Sequence, residues 1–76
     1  MPDRHPGVAH LLSLFEYAHL PHHLAIVSEP IAQMAEAAAD NLGSGPELTA
    51  GLRKLLEAKD CFVRQAVIDH REGGRS

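Results

Sequence analysis

The stretch Phe15-Glu16-Tyr17-Ala18-His19-Leu20-Pro21-His22-His23-Leu24 gathers two of the chain's three aromatic side chains and three of its six histidines beside a proline. An exposed Tyr17 ring is a face on which a purine base can stack, a contact worth about 1–3 kcal/mol per base. The plainer reading is a tyrosine packed at a helix turn with its hydroxyl in water. His19, His22 and His23 are of the ligand type that Zn²⁺ and Ni²⁺ take. However, Pro21 separates His19 from the other two, and the adjacent His22 and His23 diverge on a helix, so no metal site is assigned. A protonated His19 near a helix start can instead donate to a phosphate, or the cluster is simply a polar rim around the turn.

Further along, Arg53 and Lys54 are neighbours in sequence and point in different directions on a helix. They therefore cannot both serve one phosphate from one chain. Lys54, or Arg53 of a neighbouring protomer, would neutralise a ligand phosphate through charge-assisted hydrogen bonds. Otherwise they are solvated ends of i,i+4 pairs, Arg53 with Glu57 for example, each worth about 0.2–0.5 kcal/mol. Arg64 and Lys59 admit the same two readings. Catalysis has no comparable footing, because there is no Gly-rich phosphate loop, nucleophile elbow or pair of carboxylates in an expected pocket. The lone Cys61 falls near the apolar face of its helix, where a buried, inert thiol is expected. The expectation is a binding protein, not an enzyme, with no cofactor.

The elements that must position these groups are helices. Pro6 suits the opening turn of a first helix or arm over residues 6–18, with Val8, Leu11, Leu12 and Phe15 as its apolar stripe. Pro21 then turns the chain. A second helix spans residues 22–42, with Leu24, Ile26, Val27, Ile31, Met34, Ala35, Ala38 and Leu42 toward the core. Pro30 should kink or divide it, with Ser28 and Glu29 placed to cap a second segment. Gly43 can end it in the left-handed conformation, and Ser44 or Gly45 caps a third helix that Pro46 and Glu47 open. That helix, over residues 46–69, carries Leu48, Leu52, Leu55, Leu56, Phe62, Val63, Ala66 and Val67 on a stripe too wide for one partner to bury. Residues 70–76 form a frayed tail.

The fold class is thus all-α: an antiparallel hairpin of two helices, each about 30 Å long, preceded by a short N-terminal helix or arm, as one domain over residues 1–76. A chain of 76 residues with one cysteine and no zinc-ligand spacing has little core and no covalent staple. Self-association into a homo-oligomer is the remaining support. The formal charge of −3 argues against duplex nucleic acid as a partner, although a compact anion needs only a few local cations. Neither a signal-peptide-like apolar stretch nor a run of about 20 apolar residues occurs; the expectation is a cytoplasmic protein without a membrane partner.

The run "PELTAGLRKLLEAKDCFVRQAV", with Glu47, Leu52, Lys54, Leu55, Glu57, Ala58 and Cys61, resembles the second hairpin helix of phage anti-CBASS sponges, whose helical-hairpin domain is shared with a group of anti-Thoeris sponges. "FEYAHLP" is similar to the aromatic-x-Tyr segment and following proline before that family's first hairpin helix. The likeness covers about Phe15 to Val67. The chain departs from the pattern at Ser28, Pro30 and Cys61, in regions where relatives often carry basic residues or tryptophan. The resemblance implies a homo-oligomer, commonly a hexamer, that holds cyclic dinucleotides or related cyclic oligonucleotides between protomers without cleaving them. It thereby withholds the signal from a bacterial defence effector; some relatives take cyclic ADP-ribose isomers. The resemblance also implies that Tyr17 contacts the base. The rival is a helical protein-interaction module, in which the wide apolar stripe docks another protein and no nucleotide is bound.

Overall fold

Prolines in the first turn start two of the three helices in the computed structural model, which describes residues 4–73. Helix α1 spans Pro6–Ser13, α2 His22–Asn41 and α3 Pro46–Arg71. In α1 the proline's missing N–H costs nothing, because the first amides of a helix have no intrahelical partner. His5 caps the same turn, its Nδ1 accepting from the Gly7 amide at 3.0 Å.

Helix α1 is shorter than the sequence suggests: it stops at Ser13 instead of reaching residue 18. The Ser13 hydroxyl donates to the His10 carbonyl at 2.6 Å, and the Leu14 amide bonds the Leu11 carbonyl at 3.1 Å instead. Side-chain competition of this kind tightens the backbone. The amides of Phe15 and Glu16 also bond three residues back, and Leu20 bonds Tyr17 in a further turn at 3.0 Å.

Helix α2 runs through Pro30 as one element, so Ser28 and Glu29 cap no second segment. Its end also differs from expectation. Leu42 is extended (φ −121°, ψ 151°), Asn41 Nδ2 donates to the Ala37 carbonyl at 2.7 Å, and Gly43 does not adopt positive φ. Gly45 begins α3 without a side-chain cap. Helix α3 continues two residues beyond Asp69, where the imidazoles of His70 and His23 stack with centroids 3.8 Å apart and planes 16° from parallel. Gly73 then takes φ 89°, the left-handed conformation that lets carbonyls of the last turn find amides. Residues 74–76 of the expected tail lie outside the described residues.

His5 approaches Ser44 and Thr49 at one end, and His23 meets His70 at the other. The helices therefore alternate in direction, with α2 and α3 forming the hairpin and α1 laid across both. Val8, Leu11, Leu12 and Phe15 pack on Ala32 and Ala35 of α2 and on Leu48 and Leu52 of α3. Alanines at the α2 face permit close helix approach, which corrects the expected core. Ile26, Met34 and Leu42 are exposed, whereas Ala35 is buried as expected and Ser28 and Ala32 are buried with it. On α3, Phe62 and Val67 are exposed as well. At about 1.5 Å per residue, α1 is roughly a third the length of α3, so it covers only part of the hairpin.

Candidate functional site

The segment after α1 folds back along α2 because Phe15 is anchored in the core, 2% exposed. Two residues on, Tyr17 is half-buried against the same cluster. Between this segment and α2 lies an open cleft of ≈ 380 Å³. Leu12, Phe15, Ala32 and Ala37 supply its apolar surface, Tyr17 its aromatic ring, and Glu16, Gln33, Glu36 and Asp40 its polar groups. The spacing of residues 33, 36, 37 and 40 places them on one side of the helix.

Arg4 sets the local electrostatics. Its Nη2 donates to Glu36 Oε1 at 3.1 Å and to Asp40 Oδ1 at 2.6 Å, bridging carboxylates one helical turn apart. Both carboxylates are solvent-exposed, so each pair contributes at most about 1 kcal/mol to stability. Its larger effect is positional, because it engages one oxygen of each carboxylate. Even with Arg4, the cleft edge carries more negative than positive charge: three carboxylates lie on it.

The other sequence-derived candidates lie elsewhere. His19, Arg53, Lys54 and Arg64 are exposed, and none of them lines the Tyr17 cleft. Arg64 Nη2 instead lies 3.5 Å from Cys61 Sγ. Cys61 is itself an exposed free thiol, correcting the expectation of a buried one. Arg53 forms no ion pair with Glu57 among the described residues; Lys59 pairs with its neighbour Asp60 at 2.9 Å. Among the histidines, His23 is engaged by His70, and no group of three potential metal ligands converges among the described residues.

A second concavity, a groove of ≈ 360 Å³, runs between α2 and α3. Met34, Ala38 and Leu42 line it from α2, Leu48, Leu52 and Leu55 from α3, and Gly51 leaves space where a side chain would stand. Helical periodicity puts Met34, Ala38 and Leu42 on roughly the opposite side of α2 from the Tyr17 cleft. The two concavities are therefore separate surfaces. Arg4, which sequence reasoning passed over, belongs to the first; no local pattern could have identified it, because its partners are 32 and 36 residues away. No family model, curated protein or solved structure matches the chain.

Proposed function

We propose that this chain sequesters a cyclic nucleotide second messenger, a cyclic dinucleotide or related cyclic oligonucleotide, between protomers of a homo-oligomer and without a chemical step. The biological consequence is to withhold the signal from a bacterial anti-phage effector. The observation that carries the reading is the partly exposed Tyr17 ring in a cleft with an apolar floor. Its volume lies near the lower end of the roughly 300–1,000 Å³ usual for small-molecule sites. That is space for one nucleoside, and the remainder of a dinucleotide needs cover from a second copy. Arg53, Lys54 and Arg64 lie outside the cleft, so the phosphates are met by α3 of a neighbouring protomer, with His19 at the turn as a further donor. The resemblance of "FEYAHLP" and of the α3 sequence to the sponge family supports the same reading.

Native mass spectrometry of the purified protein, alone and with cyclic di- and trinucleotides and cyclic ADP-ribose isomers, tests assembly and retention together. An oligomer retaining a cyclic nucleotide, with retention lost in Tyr17→Ala while assembly persists, is the expected result. Retention of none by the parent refutes sequestration.

The exposed groove around Met34 and Leu42, together with exposed Phe62, favours a second reading: a helical interaction module without a nucleotide ligand. Under that reading Tyr17→Ala leaves association with the protein partner unchanged.

A further inference from the structure

We infer that the Tyr17 cleft selects a base whose edge presents adjacent hydrogen-bond donors, and hence guanine over adenine. This rests on the sequestration reading and specifies which member of the ligand class the cleft takes.

The ring and apolar floor accept any purine, since every base has a π face. Discrimination must come from the polar groups around them, and these are acceptor-rich. Glu36 and Asp40 stand one turn apart on α2, and Glu16 extends the same edge from the turn. Arg4 occupies Oε1 of Glu36 and Oδ1 of Asp40, leaving Oε2 and Oδ2 to accept from a ligand. The guanidinium is thus a positioning group: it holds two ionised carboxylates in place while their other oxygens remain available.

An ionised carboxylate has no proton to donate. Guanine offers N1–H and N2–H side by side and can bridge the open oxygens of the two carboxylates. Adenine places the N1 acceptor beside its N6 donors, so an oxygen aligned with N1 meets a lone pair. The acidic edge also disfavours the ligand's phosphates, which directs the base inward and the phosphates toward cations of the neighbouring copy.

The test is calorimetric titration of the full chain with cyclic di-GMP and cyclic di-AMP, which share sugar, phosphates and ring closure and differ in base. A cyclic ADP-ribose titration accompanies them. Cyclic di-GMP is expected to bind at least about 10-fold more tightly than cyclic di-AMP, within the discrimination a good bidentate base contact supplies. In the doubly substituted E36Q/D40N chain the ratio should fall toward one; both residues are exposed, and unchanged helicity by circular dichroism checks the fold. Equal affinities, a preference for cyclic di-AMP, or an unchanged ratio in E36Q/D40N overturns the inference. Binding of cyclic ADP-ribose alone overturns the guanine preference and leaves a sequestering protein. Binding of none of the three overturns the guanine preference, and sequestration itself falls when the cyclic trinucleotides of the mass-spectrometric panel are not retained either.

Discussion

Ser28→Ala should stabilise this protein. Ser28 is 1% exposed, and its hydroxyl has no hydrogen-bond partner. Removing an unsatisfied buried hydroxyl relieves a desolvation penalty of about 1–3 kcal/mol. Alanine also has higher helix propensity, a difference of about 0.5 kcal/mol. The two effects have the same sign, and the loss of one oxygen's packing opposes them, for a net gain of about 1–3 kcal/mol. In a domain of this size each kcal/mol moves the melting temperature by about 4–8 °C, so a rise of roughly 4–24 °C is expected. Urea and thermal unfolding followed by far-ultraviolet circular dichroism measures it, with parent and variant at one protein concentration because self-association would shift both. A less stable Ser28→Ala chain would refute the reasoning by showing that the hydroxyl has a partner in solution.

Leu52 is 2% exposed in the core shared by all three helices. Leu52→Ala should therefore cost about 2–5 kcal/mol, a large share of a small domain's stability, measured as a lower urea midpoint. Gly51 has nothing within 4 Å of the position a Cβ would take. Gly51→Ala should gain about 1 kcal/mol from helix propensity while the groove is open, whereas destabilisation would show that the groove is filled. Phe62 is 57% exposed and contributes little to the core of one chain. Under the proposed self-association, Phe62→Asp should lower the mass seen in sedimentation while preserving helicity, and an unchanged mass would remove this part of α3 from the proposed interface.

What the sequence made legible depended on range. Pro6 and Pro46 mark helix starts by local chemistry, and Leu48 and Leu52 mark the buried side of α3 by periodicity. The end of α1 required knowing that the Ser13 hydroxyl would take the His10 carbonyl, a choice among competing local bonds. On α2, periodicity identified a broad apolar surface without saying which part of it α1 and α3 would cover. Ala32 and Ala35 were buried, and Met34 and Leu42 were left outside. Within the cleft, Tyr17 was readable from the aromatic residues before Pro21. The Arg4 bridge and the approach of Glu36 and Asp40 to Tyr17 arise from packing between distant segments, for which a linear pattern carries no signal.

The alternating course of the helices puts the described chain ends at opposite poles of a molecule 44 Å long, with Arg4 beside Asp40 at one pole and His70 beside His23 at the other. Tension applied through those ends acts along the helix axes. It slides α1 against α3 and loads their shared apolar contacts together, instead of peeling them apart one turn at a time. For a single chain held in optical tweezers, this geometry gives abrupt mechanical release when the α1 interface yields, followed by extension of the remaining hairpin.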